Sequence, residues 1–247
     1  MRKMTLLIDN SNTRTKLMFC NDDKLGDEVL VLPTADLNRE GLREVVKGRK
    51  FSHVMVSSVV PAAVSEIEAA YDVPVALLKP IEQLPVSFKY ENIATLGADR
   101  VANVLGCMKW LNRACVAVDL GTAVTFDVIV PGEKRPCFIG GSIAPGLAAM
   151  GQYLAEKTAK LPRVSLNESV SAIGGSTVEA MQSGCLHGFC GMVRELLRKI
   201  EEELDERPFV VATGGDAALV NKQLGLFDAV EPLLTFRGLA MASKYFF

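Results

Sequence analysis

Val116-Ala117-Val118-Asp119-Leu120-Gly121-Thr122-Ala123-Val124-Thr125-Phe126-Asp127-Val128-Ile129 reads as two buried strands joined by a tight turn. Three apolar residues bring a carboxylate, Asp119, to the end of the first strand. Gly121 and Thr122 form the turn, and the second strand carries another hydroxyl at Thr125. Such a turn presents backbone N–H groups and hydroxyls with no bulky side chain in the way, which can cradle phosphate oxygens. A carboxylate cannot touch phosphate directly, because like charges repel. It can hold a hard cation, hydrated Mg2+ or another ion, that bridges to phosphate.

The same layout stands at the N-terminus, in Leu6-Leu7-Ile8-Asp9-Asn10-Ser11-Asn12-Thr13-Arg14-Thr15. Asp9 and Asp119 are 110 positions apart, and each follows three apolar residues. Asn12 or Thr122 comes three places later, and Thr15 or Thr125 six places later. A recurrence this long is no solenoid repeat. It predicts two related domains facing each other, residues 1–114 and 115–247, each with its own phosphate hairpin. No Gly-x-x-x-x-Gly-Lys-Ser/Thr loop occurs, and no Gly-x-Gly-x-x-Gly follows a strand, so neither a P-loop nor a Rossmann dinucleotide site is expected.

Between the hairpins the chain alternates strands and helices, an α/β pattern. A helix is expected over Asp36–Lys47, a strand over His53–Ser58, a helix opened by Pro61 and ending at Ala70, and a strand over Val75–Leu78. Val101, Val104, Leu105 and Met108 form an i, i+3, i+4, i+7 stripe. Lys79–Gly106 is the expected bridge between the halves. Further helices are expected over Leu147–Glu156 and Ser176–Leu204, a strand over Phe209–Thr213, and helices near Ala217 and Phe236. Glycine pairs at Gly140-Gly141 and Gly214-Gly215 fall at strand-to-helix turns, where backbone can approach a ligand closely. Gly97-Ala98-Asp99-Arg100 puts an acid and a base at the first turn of an amphipathic helix.

Composition closes off other classes. The 247 residues carry a net charge of −2 without any basic run, which removes the footprint of a nucleic-acid binder. Met1–Leu7 is too short for a signal peptide, and no apolar run approaches the ~20 residues of a membrane span. The six cysteines form no Cys-x-x-Cys pair, which argues against structural zinc and for a reduced, cytoplasmic protein. Cys185, His187 and Cys190 are read as helix packing, and Asp127 has no evident role.

Several of these stretches together, in chain order, resemble the type III pantothenate kinases of the acetate and sugar kinase, Hsp70 and actin superfamily. The resemblance rests on the Asp9–Lys16 hairpin, Tyr90 followed by Leu96-Gly97-Ala98-Asp99-Arg100, and Asp119-Leu120-Gly121-Thr122-Ala123-Val124-Thr125. It continues through Gly140–Gly146, Thr158-Ala159-Lys160-Leu161-Pro162, Thr177–Gly184 and Ala212-Thr213-Gly214-Gly215. It implies two RNase H-like domains with an interdomain cleft, a homodimer, and transfer of the γ-phosphoryl of ATP to pantothenate at the start of coenzyme A synthesis. It further implies Asp99 as general base, with Tyr90, Gly97, Ala98, Arg100 and Thr177 at the pantothenate site. Asp9, Asn10, Ser11, Asn12, Thr13, Arg14, Thr15, Lys16 and Thr122 would contact ATP with Mg2+, and Asp119 would bind K+ or ammonium.

Two positions depart from that pattern. Ser11 stands where the family has glycine, and Ile93 where proline often follows the tyrosine. If position 11 needed a left-handed backbone, serine would be strained there by about 1–2 kcal/mol. Two alternatives remain at this stage: a small sugar or amino-sugar kinase of the same superfamily, and a non-catalytic nucleotide-binding accessory protein.

Overall fold

The computed structural model describes residues 4–22, 24–166 and 170–247. They form two compact units: the described residues up to 109, with 132–139 and 233–247, make the first, and those within 110–131 and 140–232 the second. The chain therefore passes between units four times, near positions 109, 131, 139 and 232. A single boundary at 114/115 does not describe this arrangement. Lys79–Gly106 is not a bridge but part of the first unit, and so are the last fifteen residues.

The first unit is built on strands β1 (Met4–Asn10), β2 (Arg14–Asn21), β3 (Lys24–Leu25), β4 (Leu30–Pro33), β5 (His53–Ser58) and β6 (Val75–Leu77). The order is β3-β2-β1-β5-β6, with β4 also on β2. β1 and β2 are antiparallel, while β5 runs parallel to β1 and β6 parallel to β5. Alternation along the strands sorts the side chains. Leu6, Ile8, Val54 and Val56 turn to one face, in one core with residues of α1 (Arg39–Val45) and α2 (Pro61–Ala70). Each fully buried aliphatic residue contributes about 1.5–3 kcal/mol, so this shared stripe outweighs local propensity. α1 is shorter than the expected Asp36–Lys47 because Thr34–Asp36 forms a separate 3-10 turn and Asn38 caps the helix, accepting from the Gly41 N–H at 2.9 Å.

The opposite face of that sheet carries α3 (Ala98–Gly106) and α7 (Leu234–Phe246). The two helices lie backbone to backbone: a Cβ on Gly238 would come within 1.8 Å of the Ala102 carbonyl oxygen, so only glycine fits. Thr235 Oγ1 donates to Asn103 Oδ1 at 2.9 Å across the contact. The stripe predicted here is real, but Met108 falls on the 3-10 turn Cys107–Trp110 that follows the helix. Also in this unit, β7 (Ser87–Phe88) pairs in parallel with Cys137 and Phe138, the first residues of β10 (Cys137–Pro145).

The second unit holds β8 (Cys115–Leu120), β9 (Ala123–Val130), the rest of β10, β11 (Phe209–Thr213) and β12 (Ala229–Val230). The order β12-β11-β8-β9-β10 repeats the first sheet: a hairpin, a third strand beyond it, and two parallel strands on the free side of the first. Val116, Val118, Leu120, Phe126 and Val128 pack against α4 (Leu147–Lys157), α5 (Thr177–Leu204) and α6 (Ala217–Leu224). α5 begins where Ser176 accepts from the Glu179 N–H (3.3 Å) and Glu179 accepts from the Gly175 N–H (2.7 Å). No helix among the described residues is long and apolar enough to cross a membrane.

Candidate functional site

Both hairpins exist, yet their registers differ. Asp119 lies opposite Thr125, whereas Asp9 lies opposite Lys16 and Asn10 opposite Thr15. The first turn is one residue longer, so Thr15 is not the counterpart of Thr125: it points to the other face of its sheet. Thr15 is fully buried, its hydroxyl accepting from Asn10 Nδ2 at 2.8 Å and lying 3.1 Å from Thr34 Oγ1. Thr34 in turn donates to the Ser11 carbonyl at 2.7 Å, and Ser58 Oγ donates to Asn10 Oδ1 at 2.6 Å. Asn10 and Thr15 thus brace the hairpin from beneath. Thr34 and Ser58 carry no signal in the sequence, since neither belongs to the repeat.

At the tip, Ser11 has no left-handed backbone; the only non-glycine residues with positive φ among those described are Asp22 and Asp205. The strain considered for serine is absent. Both its N–H (3.1 Å) and its hydroxyl (2.9 Å) donate to the Arg14 carbonyl and close the turn. Asn12, Thr13 and Arg14 stand exposed at the tip, while Lys16 Nζ lies 4.0 Å from Asp9 Oδ2 at the strand end.

The loop after β5 links this strand end to the start of α3. The Val59 N–H donates to the Asn10 carbonyl at 3.1 Å, and the Val59 side chain lies alongside Gly97. Asp99 Oδ1 accepts from the Arg100 N–H at 2.8 Å. The same oxygen sits where a Cβ on Gly97 would be, only 2.4 Å away, so glycine is what lets the carboxylate fold over the helix start. Burial raises the Asp99 pKa above the ordinary carboxylate value, and the N–H and positive charge of Arg100 oppose that rise. The Arg100 guanidinium is buried over two rings, 5.5 Å from that of Phe138 and 5.9 Å from that of Tyr90, which are themselves 5.8 Å apart. Tyr90 is half-buried in this stack. Phe138 escaped the sequence reading because it lies 38 positions beyond Arg100, just ahead of the glycine-rich stretch of β10, as an ordinary apolar residue.

In the second unit Asp119 is half-buried at the end of β8, its Oδ1 beside the Gly121 turn, and Thr122 is exposed. The Gly146 N–H donates to the Thr122 carbonyl and the Asp216 N–H to the Leu120 carbonyl, each at 3.1 Å. The turns at Gly146 and at Gly214-Gly215 therefore meet the β8–β9 hairpin, whereas Gly140-Gly141, expected at a strand-to-helix turn, lies inside β10, which runs on to Pro145. A cavity of about 330 Å3 lies beside them, lined by Gly151, Gln152, Arg163, Ser165 and Asp216 among others. Burial raises the Asp216 pKa. Asp127 is fully buried on β9, with Thr125 Oγ1 at 3.5 Å from its Oδ2.

Thr177 is the exposed first residue of α5 and edges an apolar groove of about 800 Å3 shared with Met150, Tyr153, Leu154, Leu161 and Met181. The Met181–Gly184 stretch has a structural part: Gln182 Nε2 donates to the Ser165 carbonyl and Ser183 Oγ to the Ala172 carbonyl, each at 2.8 Å, holding the preceding loop against the helix. Cys190 is in the core of this unit, and a ring nitrogen of His187 lies 3.1 Å from the Val170 carbonyl oxygen. No group of three or more His, Cys, Asp or Glu side chains placed to hold a metal ion occurs among the described residues.

A sequence profile described as type III pantothenate kinase matches residues 5–199. The chain is 45% identical over 96% of its length to a type III pantothenate kinase of Akkermansia muciniphila, covering 97% of that protein. It is 36% identical over 97% of its length to one of Methylacidiphilum infernorum, covering 88% of it. Among solved structures it is similar to a Baf family transcriptional activator of Campylobacter jejuni (TM-score 0.60, 18% identity, 98% of this chain and 100% of that one). A glucokinase from an Antarctic psychrotroph (TM-score 0.58, 10% identity, 99% and 100%) and an archaeal actin homologue (0.55, 12%, 98% and 99%) share the fold.

Proposed function

The chain belongs to the type III pantothenate kinase family, and from that premise we propose how its residues divide the work. The reaction is transfer of a phosphoryl group to pantothenate, the entry to coenzyme A synthesis, with ATP as the donor. The fold is the two-domain α/β architecture that sugar kinases and actin homologues also have.

Asp99 is the general base. The observation that carries this reading is its setting: a partly exposed carboxylate at the first turn of a buried helix, fixed by the Arg100 N–H and raised in pKa by burial. In a loose phosphoryl-transfer transition state the acceptor hydroxyl loses its proton late, so the base chiefly orients that hydroxyl and takes the proton at the end. A carboxylate whose pKa burial raises above the ordinary value is a better proton acceptor for that task. Arg100, stacked on Phe138 and Tyr90, keeps positive charge beside Asp99 and is available to the carboxylate of pantothenate.

In the first unit the exposed tip Asn12–Arg14 contacts ATP, with Asn10, Ser11 and Thr15 fixing the shape of the turn; in the second unit Thr122 is the ATP contact. The cavity beside Asp216 and Arg163 suits the nucleoside. The residues fit the cations this chemistry uses. Asp9 offers hard oxygens at a strand end, with no cluster of further ligands among the described residues, which matches Mg2+ that keeps its waters and bridges to phosphate. Asp119 Oδ1, beside the Gly121 turn, fits K+ or ammonium. Bound there, the cations would offset the negative charge of the transferring phosphoryl group. Thr177 and its apolar groove form the contact between two copies in a cytoplasmic homodimer. ADP release measured with pantothenate and with a panel of sugars tests the reading. Turnover with pantothenate alone is expected, and turnover only with a sugar would overturn it.

A further inference from the structure

Two serines end β5 and are treated differently by the fold. Ser58 faces the α1–α2 side, donates to Asn10 Oδ1 and accepts from the Val60 N–H. Ser57 faces the other side, under α3 and α7, and is fully buried, yet its hydroxyl has no hydrogen-bond partner. Buried hydroxyls are almost always satisfied, so one that is not points to a partner outside the folded chain or to a neighbour that turns towards it. Its neighbour is Asp9: the two residues are paired in register on parallel strands, on the same face of the sheet. Strands lie ~4.8 Å apart, so a change of side-chain rotamer brings a serine hydroxyl to a carboxylate on the adjacent strand directly or through one enclosed water. Asp9 is itself almost buried, with Lys16 Nζ 4.0 Å from one oxygen.

We propose that Ser57 is a positioning residue for Asp9. Its hydroxyl donates to the Asp9 carboxylate, directly or through one water, and so fixes the orientation in which that carboxylate meets the cation carried by the nucleotide. A carboxylate offers several acceptor sites, so it takes this bond without giving up an oxygen to the cation. The arrangement is specific to position 57. Alanine there would lose the donor, and Ser58 cannot replace it, because it points to the opposite face. The inference rests on the reading of the Asp9 hairpin as a nucleotide site.

Calorimetric titration of the full chain with ADP tests it, in Mg2+ and again in EDTA, for wild type, Ser57→Ala, Ser57→Cys, Asp9→Asn and the double variant Asp9→Asn/Ser57→Ala. Losing one hydrogen bond to a charged group predicts that Ser57→Ala weakens Mg2+–ADP about tenfold. The cysteine variant, with a poorer donor of similar size, should fall between. In EDTA the serine variants should match wild type, and on the Asp9→Asn background Ser57→Ala should add nothing. Thermal stability of Ser57→Ala should be no lower than wild type, since a buried hydroxyl without a partner is removed; a purely structural role predicts a lower Tm with unchanged Mg2+–ADP binding. Wild-type affinity for Mg2+–ADP in Ser57→Ala, beside a weakened Asp9→Asn, would overturn the role of Ser57 alone. Wild-type affinity in Asp9→Asn would overturn the hairpin reading and this inference with it.

Discussion

Gly97→Ala isolates the placement of Asp99 from its chemistry. Gly97 has φ −59° and ψ 139°, a backbone any residue adopts, so alanine causes no strain of its own. The added Cβ would meet Asp99 Oδ1 at 2.4 Å, whereas ordinary contact begins at 3.4 Å; the carboxylate must therefore move by the difference, about 1 Å. Its other near neighbours, Asp99 Cγ at 3.6 Å and Val59 Cγ1 at 3.8 Å, need not move. The displacement strains or breaks the 2.8 Å bond from the Arg100 N–H, a loss of about 0.5–1.5 kcal/mol. Reduced freedom of the unfolded chain offsets this by about 0.4–1 kcal/mol, so Tm should hardly change. Turnover should change far more. A reacting group misplaced by 1 Å costs on the order of 10²-fold, and kcat for pantothenate-dependent ADP release should fall by about that factor. Thermal melts and steady-state kinetics on one preparation decide it. Wild-type kcat with wild-type Tm would refute the idea that the Asp99 carboxylate must lie over Gly97.

Three further outcomes follow from the geometry. Ser11→Gly removes a turn-closing hydrogen bond and frees the unfolded chain, so stability should drop by about 1–2 kcal/mol with a modest rise in the ATP KM; denaturant unfolding that matched wild type would contradict the bond to Arg14. Tyr153→Glu, in the apolar groove beside Thr177, should convert a dimer to monomers in light scattering and raise the KM for pantothenate, while a wild type already monomeric at micromolar concentration would remove the groove from any interface. Rates in K+ or ammonium should exceed those in Na+ or a bulky organic cation at matched ionic strength, and Asp119→Asn should abolish the difference; equal rates in all four salts would count against a cation at Asp119.

The repeated apolar-acid-turn-hydroxyl pattern made the duplication legible, and the two sheets do share one strand order. Register was not legible, because a one-residue difference in turn length leaves the Asp9–Thr15 and Asp119–Thr125 spacings identical while reversing the face on which the threonine lies. The unit boundaries were hidden for another reason. α7 joins the first unit through the fit of Gly238 on Ala102, a contact between residues 136 positions apart that no local pattern announces. Asp99 and Arg100 stood out as charges at the start of an apolar stripe, whereas Phe138, which supports Arg100, looked like any core aromatic. Ser11 drew notice as a departure from the family, but only its hydrogen bonds to Arg14 show that serine closes this turn without a left-handed backbone. Ser57 carried no signal at all; an alternating strand predicts its burial but not that its hydroxyl lacks a partner.

In the proposed mechanism the Asp99 carboxylate accepts the proton of the pantothenate hydroxyl. Because burial lifts its pKa from 3.8, the group loses its proton only as pH rises above that value, and kcat/KM should rise with it through an acid limb lying above the ordinary carboxylate range. The pH dependence of kcat/KM for pantothenate, in wild type and Asp99→Asn, tests this most directly. The rate should be lower by roughly 10²–10⁴ in Asp99→Asn, with that acid limb gone and the affinity for ADP unchanged. An Asp99→Asn variant that keeps wild-type kcat/KM and the same acid limb would contradict it.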